Sequence, residues 1–161
     1  MQKITPFLWF NDQAEEAVKF YTSVFKDSKM GDITRYDEVG AKAAGRPVGS
    51  AMVIPFQLAG QEFIALNGGP HFKFTEAISF VVNCETQQEV DYYWEKLSES
   101  GDEKTQQCGW LKDKYGLSWQ IVPAIISRLM QDPVKSKKVM QAVLQMKKID
   151  IEKVKQASGE V

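Results

Sequence analysis

Residues 5–25, TPFLWFNDQAEEAVKFYTSVF, change their hydrophobic period midway, and the same change recurs at residues 77–97, AISFVVNCETQQEVDYYWEKL. Each stretch opens with an apolar run of strand length and continues with apolar residues three and four positions apart, as in an amphipathic helix. The two stretches are offset by 72 positions. Aligned pairs include Asn11 and Asn83, Val18 and Val90, and Tyr21 and Tyr93. The repeat predicts two modules that each begin with a strand and a helix.

Strand-like segments follow each of the two predicted helices. In the first module they are DITRYDEV, SAMVIPFQLAG and QEFIALNGG, and the dipeptide Ala59-Gly60 indicates a hairpin between the last two. In the second module they are EKTQQCGWLKD and GLSWQIVP, joined by a turn at Tyr115-Gly116. The second module therefore has fewer predicted strands than the first.

Helix caps, loops and a tail complete the organisation. Asn11 or Asp12 is expected to cap the first helix and Thr86 the second, because short polar side chains accept hydrogen bonds from the first free N–H groups of a helix. Residues 38–50, rich in small side chains, are interpreted as a mobile loop. The tail predicts short helices at Ala124–Gln131, Ser136–Lys147 and Ile151–Ala157, which we expect to cover a sheet or a partner subunit.

Composition excludes several classes of function. Basic and acidic residues nearly cancel, 20 against 21, so nothing indicates binding to nucleic acid. Two cysteines, Cys84 and Cys108, are too few for a disulfide framework and do not have the spacing of a metal site.

The N-terminal segment lacks the features of a signal peptide, and no apolar run has the length of about 20 residues that spans a bilayer. We expect a soluble cytoplasmic protein with no membrane or nucleic-acid partner.

Four segments carry a resemblance to a known family. They are ITPFLWFNDQAEEAVKFYTSVF, GGPHFKFTEAISFVVNCETQQEVDYYWEKL, CGWLKDKYGLSWQIVP and MQAVLQMKKIDI. Together they resemble the PhnB-like branch of the vicinal oxygen chelate superfamily. That branch is also called the 3-demethylubiquinone-9 3-methyltransferase domain family. The superfamily includes glyoxalase I, bleomycin-resistance proteins and extradiol dioxygenases. The resemblance implies an α+β domain over residues 1–161, with βαβββ-type modules at about 1–69 and 75–123 and a helical tail at 124–161. It also implies a curved, mainly antiparallel sheet cup that binds substrate, often completed by a homodimer.

The resemblance also locates the positions where metal-dependent relatives carry ligands. On the first and last strands of the two modules these positions fall on Thr5, Ala65, Ala77 and Gln120. Of these, only Gln120 is a plausible ligand, and one amide oxygen does not hold a metal. A shift of one residue adds a single carboxylate, Glu76, so we expect no chelated metal and no cofactor.

Strand alternation predicts the lining of the cup. One face is expected to present the side chains Thr5, Phe7, Trp9, Phe63, Ala65, Asn67, Ala77, Ser79, Val81, Ser118 and Gln120. We take eight of these as ligand-binding candidates: Thr5, Phe7, Trp9, Phe63, Asn67, Ser79, Ser118 and Gln120. An aromatic and apolar cup with a few amide and hydroxyl groups suits a small aromatic or planar molecule. The alternative is that Phe7, Trp9 and Phe63 simply fill a closed core.

His71, the only histidine, lies in GGPHFKF (68–74) between the modules. Its imidazole is the side chain that titrates nearest neutrality, but nothing in the sequence brings a nucleophile or a carboxylate to it. Because glycine and proline dominate the segment, a connection or pocket-rim role is favoured over catalysis.

Three functions remain open. The first is binding of a small aromatic or planar molecule without a metal. The second is an enzyme of the same fold, of isomerase, lyase or dioxygenase type, with catalytic residues unknown. The third is methyl transfer to a demethylubiquinone, as the family label says, although no glycine-rich turn of the kind that binds a methyl donor follows a strand.

Overall fold

The computed structural model describes residues 2–160, and its mixture of helices and open sheets confirms the predicted α+β class. The chain divides into two compact units, here called the first module (up to Phe74) and the second module (from Thr75). Each opens with the strand and helix that the repeat predicts.

Over residues 2–74 the first module contains one sheet and two helices. In chain order they are β1 (Phe7–Phe10), α1 (Ala14–Val24), β2 (Lys29–Met30), β3 (Thr34–Arg35), α2 (Glu38–Ala44), β4 (Ala51–Leu58) and β5 (Gln61–Asn67). The strand order is β1-β5-β4-β2, with β3 also paired to β4. The β1–β5 pair is parallel and the pairs made by β4 are antiparallel. The turn at Ala59 and Gly60, both with positive φ, forms the predicted hairpin.

The core of the first module lies between α1 and one face of this sheet. Every third or fourth residue of α1 is apolar, and Ala14, Ala17, Val18 and Tyr21 are fully buried. The ring of Tyr21 stacks on that of Phe56, whose ring in turn lies 5.2 Å from that of Phe63. The opposite face of the sheet carries Phe7, which is 54% exposed.

Two local expectations in the first module are wrong. Neither Asn11 nor Asp12 caps α1; the N-cap is Gln13, which makes no side-chain cap, and the N–H of Ala14 instead donates to Oδ1 of Asn67 at 2.8 Å. Part of the predicted mobile loop is α2, capped by Asp37 and ended by a left-handed Gly45. Alanine has a high helix propensity, and in this segment that propensity outweighed the loop that the small residues had suggested.

The second module is shorter in strands, as predicted. It contains β6 (Phe80–Cys84), α3 (Gln87–Ser98), a 3-10 turn at Glu103–Thr105, β7 (Trp110–Lys112) and β8 (Ser118–Pro123), with strand order β6-β8-β7. Thr86 caps α3 by accepting from the N–H of Glu89 at 3.2 Å, which confirms the predicted cap. The carboxylate of Glu89 accepts from the N–H of Glu85 at 2.7 Å, which further fixes the start of the helix.

The tail belongs to the second module and forms the helices α4 (Ala124–Leu129), α5 (Pro133–Val143) and α6 (Ile151–Ser158). The helices share a small core of buried residues: Leu129, Val139, Val143, Ile149 and Val154. The backbone N–H groups of Cys108 and Gly109 donate to the carbonyls of Met146 and Lys147, each at 2.8 Å. The tail is therefore joined to the turn before β7 by main-chain hydrogen bonds. Within residues 2–160, no helix combines the length and the apolar character needed to cross a membrane.

Glu160 holds the end of the tail against its first two helices. Its carboxylate accepts from Nη1 and Nη2 of Arg128 at 3.0 and 2.7 Å and from Nζ of Lys135 at 2.8 Å. These hydrogen bonds, that of Arg128 first, lower the pKa of Glu160 to about 2. They also raise the pKa of Arg128 further above its ordinary value.

Candidate functional site

The face of the first-module sheet that lies away from α1 carries side chains in three rows. Residues paired across neighbouring strands point to the same face, so the strand register defines each row. We call them the polar row (Glu62, Gln57 and Lys29, to which we add Thr5 two residues before Phe7), the apolar row (Phe7, Ile64 and Pro55) and the indole row (Trp9, Leu66 and Val53). We call this surface the open face; Phe7 is 54% exposed there.

The register corrects one part of the predicted lining. Phe7 pairs with Ile64 and Trp9 with Leu66, so Phe63, Ala65 and Asn67 point to the α1 side instead of sharing a face with Thr5, Phe7 and Trp9. Phe63 and Ala65 are 6% and 0% exposed. Both faces of β5 are apolar, so the sequence pattern could not decide which set points toward the helix.

Asn67 is the polar member of the misassigned set, and its groups are engaged inside the core. Its Oδ1 accepts from the N–H of Ala14 at 2.8 Å, and its Nδ2 donates to the carbonyl of Ala51 at 3.1 Å. The hydroxyl of Tyr36 donates to the Asn67 carbonyl at 2.7 Å. Asn67, which lies on β5, therefore links this strand to α1 and β4 by hydrogen bonds.

A cavity of about 340 Å³ opens beside the polar and apolar rows. It is lined by Gln2, Thr5, Lys29, Gly31, Pro55, Phe56, Gln57, Glu62, Phe63 and Ile64. Phe56 and Phe63, whose rings lie on the α1 side of the sheet, also line it, while Pro55 and Ile64 belong to the apolar row. Gly31 lies directly over Pro55, because a Cβ atom there would come within 2.9 Å of the proline ring. Thr5 and Phe63 are the two predicted candidates that this cavity brings together.

The indole of Trp9 holds the segment GGPHFKF, which connects the two modules, against the first module. Its Nε1 donates to the carbonyl of Gly69 at 2.9 Å, and its ring meets that of Phe72 edge-on at 4.9 Å. A Cβ atom at Gly68 would overlap the indole, so only glycine fits there. His71 is exposed on this connection, as the sequence predicted, and lies outside the cavity lining. Its function stays untested.

The second module gathers three predicted candidates on one face of its sheet. Val81 pairs with Gln120, so Ser79 and Ser118 share that face by alternation. Nε2 of Gln120 donates to Oγ of Ser79 at 2.9 Å. Ser118 is 1% exposed, and its hydroxyl has no hydrogen-bond partner among residues 2–160. This grouping agrees with the predicted face; ligand binding by these residues stays a prediction.

Lys112 and Trp110 complete this face and were missed from the sequence. Lys112 pairs with Ser118 and Trp110 with Gln120 across β7 and β8. Nζ of Lys112 lies 2.5 Å from Oε1 of Glu76, and that hydrogen bond lowers the pKa of Glu76. The hairpin register would have identified both residues, but the prediction rested on the first and last strands of the module and left out β7.

A buried carboxylate sets the geometry of this hairpin. Oδ1 of Asp113 accepts from the N–H of Leu117 at 3.1 Å, and its Oδ2 accepts from Nε1 of Trp119 at 2.8 Å. These bonds fold the turn so that Ser118 enters β8 opposite Lys112.

The four positions at which metal-dependent relatives carry ligands do not fit a metal. Ala65 lies under α1, and Ala77 is exposed ahead of β6. The remaining two are Thr5, in the first module, and Gln120, whose amide already bonds Ser79. Over the part of the chain that is described, no cluster of three or more histidine, cysteine, aspartate or glutamate side chains is arranged to hold a metal ion.

Comparison with known proteins gives a consistent family. The sequence profile described as 3-demethylubiquinone-9 3-methyltransferase matches residues 2–122. The chain is similar to a PhnB protein from Bacillus cereus whose description names that same methyltransferase. The two proteins are 41% identical, the match covers 76% of this chain and 100% of the other, and the TM-score is 0.65. Protein PA1353 from Pseudomonas aeruginosa shares the fold at 16% identity, with 76% and 98% coverage and a TM-score of 0.57. No curated protein matches the sequence.

Proposed function

This chain belongs to the 3-demethylubiquinone-9 3-methyltransferase family, the PhnB-like branch of the vicinal oxygen chelate superfamily, and from that membership we propose that it binds a small planar, largely apolar molecule on the open face of its first module. The observation that carries the proposal is the cavity of about 340 Å³ beside the apolar row. Its size falls at the lower end of the range typical of small-ligand sites, about 300 to 1,000 Å³.

The chemistry of the open face supports a planar ligand. At the cavity, Pro55 offers a flat apolar ring and Ile64 a branched apolar side chain. Phe7 and Trp9 extend this apolar surface along β1. A ring laid on such a surface gains both burial and aromatic contacts. Polar side chains also line the cavity and can orient such a ligand by hydrogen bonds: Gln2, Thr5, Lys29, Gln57 and Glu62.

The proposal is tested by calorimetric titration of the chain with naphthalene-2-carboxamide, a neutral planar probe. Binding to the folded state should also raise the thermal midpoint, because stabilisation grows as RT ln(1 + [L]/Kd). We expect Ile64→Gln to weaken binding about fivefold, since one apolar wall of the cavity is lost. Val39→Gln is the matched control, because Val39 is 79% exposed on α2 and does not line the cavity.

Two further titrations separate the other functions that the family allows. Stabilisation by S-adenosylmethionine, with no response to the planar probe, would favour methyl transfer and overturn the proposal. Stabilisation by a divalent metal alone would favour a metal-dependent enzyme and equally overturn it. The homodimer that the resemblance implies is tested on the same samples by light scattering.

A further inference from the structure

We propose that Lys29 and Thr5 select, among planar ligands, those with an acidic oxygen group at one end and a neutral hydroxyl or carbonyl group at the other. A hydroxylated aromatic carboxylate has this chemistry. The inference rests on the proposed function, since it names the class of molecule that the same cavity takes.

Most polar side chains around the cavity are already engaged by the protein. Nε2 of Gln57 donates to the carbonyl of Gly60 at 2.9 Å. Nε2 of Gln2 donates to the carbonyl of Ile4 at 2.6 Å, and the backbone N–H of Gln2 donates to Oε2 of Glu62 at 3.2 Å. The two amides and the carboxylate therefore have partners before any ligand arrives.

Lys29 and Thr5 are different, because both line the cavity and neither side chain has a hydrogen-bond or ion-pair partner among residues 2–160. Lys29 is an ammonium donor and Thr5 a hydroxyl that can both donate and accept. A cation that borders an apolar cavity without a carboxylate partner favours an anionic group on the occupant.

The positions of these two groups give the ligand a direction. In the strand order β1-β5-β4-β2, Thr5 lies two residues before the edge strand β1 and Lys29 lies on β2, so they flank the cavity across three strand spacings, about 14 Å. Glu62 lies next to Thr5 in the polar row, whereas Gln57 lies next to Lys29. The negative charge of Glu62 disfavours an anion at the Thr5 end, so the acidic group of the ligand belongs at Lys29.

The test uses three bicyclic probes of nearly equal shape, titrated by calorimetry: 6-hydroxy-2-naphthoate, 2-naphthoate and the neutral naphthalene-2-carboxamide. We expect 2-naphthoate to bind up to about fivefold tighter than the amide, and Lys29→Met to abolish that preference, because Lys29 is exposed and an exposed charge pair contributes no more than this. Lys26→Met is the matched control, because Lys26 is an exposed lysine of the same module that does not line the cavity. Thr5→Val should remove only the additional affinity of the hydroxylated probe, about threefold.

Salt dependence provides a second measurement that needs no variant. Raising NaCl from 0.02 to about 0.5 M should weaken carboxylate binding and leave amide binding unchanged, because the screening length falls well below 10 Å. Equal binding of carboxylate and amide at low salt, or a preference that survives Lys29→Met, would overturn the selection by charge while leaving the proposed function intact. Failure of all three probes to bind would overturn the proposed function itself.

Discussion

Replacing Asn67 by leucine should destabilise the first module, although the sequence alone suggested a ligand-binding role for this residue. The side chain of Asn67 is 4% exposed and satisfies the N–H of Ala14 at the start of α1 and the carbonyl of Ala51 at the start of β4. Leucine is similar in size but offers neither a donor nor an acceptor. The change therefore removes the hydrogen bonds while leaving the surrounding packing nearly filled.

The magnitude follows from the two backbone groups left without partners. Ala14 is fully buried and Ala51 is 9% exposed, so water cannot readily replace the lost amide at either. Each unsatisfied buried group costs about 1 to 3 kcal/mol, and we expect a total loss of about 3 kcal/mol in the free energy of unfolding. For a chain of this length such a loss lowers the thermal midpoint by about 6 to 12 °C.

The assay must report on each module, because the chain has two compact units. Hydrogen exchange read by mass spectrometry meets this need, since peptides from α1 and β4 report the first module and those from α3 the second. Gln57→Leu is the matched control, because its amide is half-buried and bonds a solvent-exposed turn at Gly60. We expect that control to lose less than about 1 kcal/mol.

The reasoning would be refuted if Asn67→Leu cost less than about 1 kcal/mol in the first module, or if it left the exchange of the Ala14 amide unchanged. Either result would mean that water or a rearranged backbone satisfies these groups. A second result would restore the role expected from sequence: an unaltered unfolding free energy together with lost probe binding.

Three further predictions test other parts of the structure. The hydrogen bonds from Arg128 and Lys135 lower the pKa of Glu160 to about 2. The contribution of Glu160 to stability is therefore complete above its ordinary pKa of 4.5 and is lost as the pH falls toward 2. Urea unfolding should show Glu160→Gln to be less stable than the wild type at pH 6 and equally stable near pH 2. Burial raises the pKa of Cys84 to about 12, so iodoacetamide at pH 8 should label Cys108 and leave Cys84 unmodified unless the fold opens. Gly68→Ala should displace the indole of Trp9 and shift its fluorescence, since the new methyl group overlaps the ring; an unchanged spectrum would contradict that packing.

The repeat was the part of the fold that sequence predicted best. A switch of period from strand to helix depends on local residues, and both β1–α1 and β6–α3 occur where the pattern indicated. The Thr86 cap was also predictable, because the accepting hydroxyl of Thr86 and the donating N–H of Glu89 lie three residues apart. The cap of α1 was not, because Asn67 provides it from a strand more than 50 residues away.

Which side chains share one face of the sheet was predicted more accurately in the second module than in the first. Ser79, Ser118 and Gln120 are polar residues on a strand pair whose other face is clearly apolar, so alternation assigned them to one face. On β5 the residues from Phe63 to Leu66 are apolar on both faces, and alternation has nothing to distinguish them. Lys29 lines the cavity without any signal in the sequence, because its strand has only two residues and no periodic pattern.

The hydrogen bonds from Cys108 and Gly109 to Met146 and Lys147 bear on the order in which the chain folds. All strand pairs of the first module lie within residues 7–67, so that module has its complete set of pairing partners early in synthesis. The turn before β7 receives its acceptors only from residues made almost 40 positions later. We therefore expect the second module to acquire its final protection last, and an incompletely synthesised chain to expose the turn at Cys108 to proteases.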